Sequence, residues 1–337
     1  MLNLTMKKKQ WIINIGKLAL AAFIIYYMIV SGNIDLHQIL SVNQHPFLLT
    51  VCISSFGFIF VPMSYRWYIL LRAQGIILGF NKTVGLTYTG AFFNNFLLGS
   101  IGGDLVKAYY VSETNPELRL ESALSVFVDR AIGLYTLLLM ASVALGYYYF
   151  VLPAAYQILF YLIICTLLVG LVLFVIIGKI QSLRLKSFKS LLLSIPVLGK
   201  IIKRTFQAFR LYWWKKRYLA IAILVTIFIQ SFSIFNFWIL YKALGFQSLS
   251  LGHFFFIIPI VYLIMAVPIS PMGIGVGQIT MHQLFADFGA NNPAEGANLI
   301  TLYQTIIICV NCLGVIPYLR YKISIPKPSE DRPAQSN

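Results

Sequence analysis

Residues Gln157–Ile177 read QILFYLIICTLLVGLVLFVII, 21 residues without a single charge. About 20 consecutive apolar residues in a helix cross a hydrocarbon core roughly 30 Å thick. No water reaches that core, so the backbone must satisfy its own polar groups, which a helix does. The run is continuously apolar and does not alternate, which excludes a strand of a membrane barrel. The rest of the 337-residue chain agrees: 59% of it is hydrophobic and only 11% charged, with a mean hydropathy of +0.81. A soluble domain carries roughly 25% charged residues. A soluble enzyme, a nucleic-acid binder and a secreted disulfide scaffold are thereby excluded. The expected fold is an all-α polytopic integral membrane protein, with one membrane domain over residues 1–326 and a disordered Pro-, Ser- and charge-rich tail over 327–337.

The net charge of +16 follows from basic loops on the cytoplasmic side, where they face anionic headgroups. Lys7, Lys8 and Lys9 precede an apolar run, Trp11 to Val30, which reads as a retained first helix with its start in the cytoplasm. The loop from Ser31 to His45 lacks Lys and Arg and is expected outside. A second helix, Pro46 to Leu71, returns toward Arg66, Arg72 and Lys82. A third runs outward from Glu121 to Phe150. Gln157 to Ile177, the fourth, ends at a segment, Lys179 to Arg217, with eleven Lys or Arg and no acid. Its apolar residues recur at helical spacing, as expected of amphipathic helices lying on anionic lipid. The fifth helix, Tyr218 to Tyr241, goes out, and the sixth, Ala297 to Tyr318, ends inside at Arg320 and Lys322. Both termini are therefore expected in the cytoplasm, with the chain in the plasma or inner membrane.

Two segments do not fit this count. Thr83 to Ser100 is only moderately apolar, and if it crossed fully, Lys107 and Arg119 would sit outside against the charge rule. A re-entrant hairpin that breaks near Leu98–Asp104 removes the conflict. Leu251 to Phe288 is apolar but interrupted by Pro259, Pro268 and Pro271 and by the glycines Gly273, Gly275 and Gly277. Non-helical backbone at that depth needs protein or a wet cavity around it. Residues 11–150 and 157–318 each read as helix, helix, broken segment, helix, from opposite sides. This is the inverted-repeat pattern in which paired interruptions mark a midplane site. Each break holds a Gly-xxx-Gly spacing, Gly99 with Gly103 and Gly273 with Gly277, suited to close backbone approach.

Ionised groups inside a bilayer are costly, so they pair or line a wet path. Asp104 and Lys107 share a helical face at the first break, and Asp129 and Arg130 sit early in the third helix. They read either as a ring of salt bridges holding the hairpin to that helix or as a headgroup site, and both readings can hold. Arg66 reads as an interfacial, snorkelling side chain. The four cysteines lie in apolar segments, and the Cys309/Cys312 pair has no second pair or histidines beside it; no metal and no cofactor are expected. The absence of a GxxxxGK[ST] loop excludes ATP hydrolysis by that route.

Two stretches carry a resemblance: Asn94-Asn95-Phe-Leu-Leu-Gly99-Ser-Ile-Gly102-Gly103-Asp104-Leu-Val-Lys107-Ala-Tyr109, with Val128-Asp129-Arg130-Ala-Ile-Gly133 after it, and Pro268-Ile-Ser-Pro271-Met-Gly273-Ile-Gly275-Val-Gly277-Gln278. In order and spacing the chain resembles the lysylphosphatidylglycerol synthase transmembrane, flippase-like family. It carries Lys107 where that pattern has arginine and Gln278 where it has glutamate. The resemblance implies movement of an aminoacylated, polyprenyl-linked or other phospholipid between leaflets. The soluble domain that makes the aminoacyl lipid in two-part members is absent, so no enzyme activity is expected. The expected site is a groove between the two breaks. There Asn94, Asn95, Lys107 and Arg130 would meet phosphate, Asp104 or Asp129 an amine, and the backbone at Gly99, Gly102, Gly103, Pro268, Pro271, Gly273 and Gly275 would contribute, with Tyr109 and Gln278 beside them. The expected partners are membrane phospholipids, anionic headgroups at the basic segment and a separate lipid-modifying enzyme; nucleic acid is not among them. A secondary transporter of a soluble solute or ion, and a non-catalytic partner of a lipid or glycan enzyme, fit the same architecture.

Overall fold

The computed structural model describes residues 46–96, 102–150, 154–179, 209–267 and 270–320, together with Tyr26 and Val30. Several expectations lie outside these residues: most of the first helix and its following loop, Gly99 in the first break, Pro268, most of the basic segment and the tail.

Every regular element among the described residues is helical. Helices α1 (Pro46–Phe58) and α2 (Phe60–Ala73) form one span of 28 residues. They are offset at Ile59, because Pro62 has no N–H to offer the Phe58 carbonyl. Next come α3 (Phe80–Phe96), α4 (Gly102–Thr114), α5 (Arg119–Tyr147), α6 (Ala154–Lys179) and α7 (Lys216–Ala243). They are followed by α8 (Leu251–Met265), a 3-10 turn (Pro271–Gly273), α9 (Val276–Asp287), α10 (Ala294–Cys312) and α11 (Val315–Arg320). Five stretches are long and apolar enough to cross a membrane: 46–73, 116–147, 154–176, 216–243 and 294–320. They coincide within a few residues with the second to sixth helices expected from sequence, and the chain is a multi-pass membrane protein. The last of these is interrupted between α10 and α11, where a single helix was expected. The most apolar of them, residues 154–176 of α6, has only about a tenth of its most apolar part buried by protein. A helix apolar on all sides with so little protein around it faces lipid.

The two anomalous segments fold as helical hairpins. At 17 and 13 residues, α3 and α4 are about 25 and 20 Å long, and they pack along each other. The open ends of this hairpin lie where α2 finishes: Tyr110 and Val111 of α4 pack with Trp67, Leu71, Ile76 and Leu78, and Phe80 of α3 lies against Tyr65 and Tyr68. Lys215 donates to the Ala73 carbonyl at 2.9 Å, so α7 begins at the same end. Helices α8 and α9 form the second hairpin. Its open ends meet where the His253 and Phe288 rings pack edge to face, both against Tyr148 at the close of α5. There too Tyr241 of α7 and Ser248 donate to Glu295 of α10. The hairpins therefore open at opposite ends of the bundle. The Pro271–Gly273 turn of the second hairpin packs on α3 of the first as well as on α8.

Candidate functional site

Helices α3 and α4 approach closely because two glycines face each other. A β-carbon on Gly103 would fall 1.8 Å from the Gly90 carbonyl oxygen, and one on Gly90 would press the Lys107 stem at 3.0 Å. The close backbone approach expected at Gly103 is made to Gly90, on the opposing helix; Gly99 lies outside the described residues. Asn94 Oδ1 accepts the Gly103 N–H at 2.9 Å, satisfying one of the orphan donors at the start of α4. Gly102, the first residue of that helix, is buried beside it. Asn95 turns the other way. It donates to the Ile308 carbonyl at 3.2 Å and accepts from Asn311 at 2.8 Å, tying α3 to α10.

With the stem of Lys107 laid over Gly90, its ammonium reaches Asp104 Oδ1 at 2.9 Å and stands 5.0 Å from the centre of the Trp67 ring. Trp67 in turn donates to Ser125 at 3.2 Å. The other Asp104 oxygen accepts from Arg130 Nε, which joins the hairpin to α5. Asp129 and Arg130, neighbours in sequence, do not serve each other. Asp129 is held in a fork by Arg66, Nε to Oδ1 at 2.6 Å and Nη2 to Oδ2 at 3.0 Å, while Arg66 Nη1 donates to Thr226 of α7 at 3.2 Å. The side chains of Arg66 and Asp129 are each only 8% exposed. Arg66 is thus a buried ion-pair residue, correcting its reading as a snorkelling side chain. Gly133 leaves room for its guanidinium, 3.8 Å from where a β-carbon would stand.

Three cations and two acids make up this cluster, a net charge of +1. Each of the four carboxylate oxygens is engaged by an internal cation. Asp104 and Lys107 are 11% exposed at the side chain, whereas Arg130 is 41% exposed. On α5, Arg130 shares its outward stripe with exposed Phe127 and Leu134, and the adjoining α4 presents exposed Leu105 and Tyr109. Tyr109 makes a ring contact with Tyr110 and stays at the surface.

The second break is closed by side-chain amides. Gly275 has φ +85° and Gly273 φ +71°, left-handed conformations suited to glycine, but Met272 between them and Pro271 also has φ +52°. Gln278, fully buried, accepts the Gly275 N–H at 2.7 Å and donates to Gln304 Oε1 at 2.7 Å and Thr301 at 3.2 Å. Gln304 then donates to the Met272 carbonyl at 3.3 Å. An amide suits this place because it both accepts and donates. Gly273 and Gly277 both face Met265 of α8, so the Gly-xxx-Gly spacing packs a side chain of the hairpin's first arm. Pro271 supplies the first residue of the turn.

The first hairpin gathers Asn94, Asp104, Lys107 and Arg130. The residues of the second break, and Asn95, are spent on holding α3, α9 and α10 together. Sequence reasoning missed Gly90 and Thr226, neither of which belongs to a recognisable spacing. Arg66 carried a usable signal, a charge inside an apolar run six residues before Arg72.

A family model described as Lysylphosphatidylglycerol synthase TM region matches residues 14–314. No curated protein and no solved structure matches the chain.

Proposed function

Because the chain belongs to the lysylphosphatidylglycerol synthase transmembrane-region family, we propose that it moves a phospholipid between leaflets, with the lipid phosphate passing Arg130. One observation carries this reading. Of the three cations in this net-positive cluster, Arg130 has the most exposed side chain, and it lies on the stripe of α5 that carries exposed Phe127 and Leu134. A headgroup crossing hydrocarbon loses water without replacement partners, and a guanidinium replaces them for phosphate with paired donors. Asp104 acts as the internal counter-ion that holds Arg130 until a phosphate takes its place. An amine finds no carboxylate oxygen without a cation already on it, so the phosphate is the recognised group. The break opposite, packed on α3, gives the hairpin a second surface to move against, as paired interruptions do in inverted-repeat transporters. The chain works on lipid without an enzymatic step, and membrane phospholipids are its partners.

The test is lipid translocation in reconstituted vesicles, read with headgroup-labelled phosphatidylglycerol. Arg130→Gln slows it about 10- to 100-fold, the worth of a charge-assisted contact, and Arg130→Lys restores part of the rate. Wild-type rates in Arg130→Gln at equal protein content place the site elsewhere. Solute uptake by wild-type vesicles without lipid movement makes the chain a secondary transporter instead.

A further inference from the structure

A second lipid site lies on another face, where α2 and α7 run antiparallel. Val61, Tyr65, Tyr68 and Arg72 follow one another at helical spacing along α2, and Phe228, Leu224, Ile221 and Arg217 do the same in reverse along α7. Val61 and Tyr65 of α2 and Leu224 and Phe228 of α7, with Phe58, Pro62, Phe80 and Val225, line an open, apolar cavity of about 480 Å³. Both walls belong to membrane spans, so what fills the cavity is drawn from lipid.

The surface beyond the Tyr65 and Leu224 end of the cavity is cationic. Arg72, exposed, lies over the Tyr68 ring at 5.0 Å. The bond from Lys215 to the Ala73 carbonyl brings the start of α7, with exposed Arg217, to the same end. Phe80, in contact with Tyr65 and Tyr68, brings Lys82 there too. An apolar trough of ligand-pocket size, with Arg72 and Arg217 each seven residues, about 10 Å, further along its helix than Tyr65 and Leu224 of the lining, matches a single molecule: an acyl chain in the trough and an anionic phosphate beyond its end. We propose that this groove holds an anionic phospholipid, its phosphate between Arg72 and Arg217 and one acyl chain between α2 and α7. The site does not depend on the translocation reading. Its wall residues Tyr65 and Val225 adjoin Arg66 and Thr226, so the bound lipid backs the buried ion pair and stiffens the α2–α7 contact.

Native mass spectrometry of the full chain in mild detergent, with added phosphatidylglycerol or phosphatidylcholine of the same acyl chains, tests this. The wild type retains phosphatidylglycerol preferentially. Arg72→Gln with Arg217→Gln weakens that binding about 30-fold, from the attraction of two surface arginines, and leaves phosphatidylcholine unchanged. Val225→Phe, which fills the trough from α7, weakens both lipids; Val61→Trp does so from α2 and serves if the first plug does not give a monodisperse protein. Unchanged phosphatidylglycerol binding in the double arginine variant, or in both plugged variants, overturns the proposal. So does its displacement by millimolar inorganic phosphate, which would mark a site for the free anion.

Discussion

Arg66 lies six residues before Arg72, far enough into α2 that its charge is cut off from water. The fork onto Asp129 and the third bond to Thr226 are what make it tolerable there. Breaking a buried pair leaves one uncompensated charge and costs about 3–5 kcal/mol, whereas replacing both partners by apolar residues of similar size is often neutral. Arg66→Met is therefore expected to lower the thermal midpoint in detergent steeply, and Arg66→Met with Asp129→Leu to recover most of the loss. Scanning fluorimetry on the native tryptophans checks both. Met272 presents the opposite case. Its left-handed backbone costs a residue with a β-carbon roughly 1–2 kcal/mol, so Met272→Gly is expected to raise the midpoint. A lowered midpoint would mean that the Met272 side chain contributes more by packing than its backbone loses.

Within the elements, two hairpins are closed by different means. The first depends on backbone contact, with Gly103 against the Gly90 carbonyl and Asn94 capping α4. Gly103→Ala places a methyl group where that carbonyl stands and is expected to loosen α4 from α3. Faster hydrogen exchange at residues 102–114, with α6 unaffected, is the readout. The second hairpin is closed by amides. Gln278→Glu removes both donations, to Thr301 and to Gln304, and buries an acid. The expected loss is about 1–3 kcal/mol for the groups left unpaired, partly regained at acidic pH as the carboxyl takes up a proton and donates again. A stability independent of pH would show that Gln304 rotates to serve the new acid. Both hairpins were readable as interruptions, because glycine, proline and polar residues inside an apolar stretch signal a backbone that cannot continue as a plain helix. What closes each tip was not readable. Gly90 lies 13 residues from Gly103 and Gln304 lies 26 from Gln278, and no helical period links such partners.

At the scale of the molecule, the hairpins open at opposite ends. Single cysteines at Glu117, beside the first, and at Gln247, beside the second, in a background without the four native cysteines, are thus expected to react with an impermeant maleimide from opposite sides of a sealed vesicle. Labelling of both from one side would contradict the arrangement and remove the basis for a hairpin moving against its counterpart. The same bundle explains the charge assignments. Sequence adjacency pairs Asp129 with Arg130, but residues one apart on a helix point about 100° away from each other. Asp129 therefore faces α2 and finds Arg66, while Arg130 faces α4 and finds Asp104.

Composition and the lengths of apolar runs by themselves determined that the chain is a helical membrane protein, where the five spans of the described residues lie and which two segments break, because the bilayer imposes one length and one requirement for backbone pairing on any sequence within it. Family kinship was likewise readable from two short motifs. Only the tertiary structure decided which charges are buried in pairs and which side chain stays partly exposed. That depends on the rotation of each helix about its axis and on its neighbours, which are set by packing between residues distant in the chain.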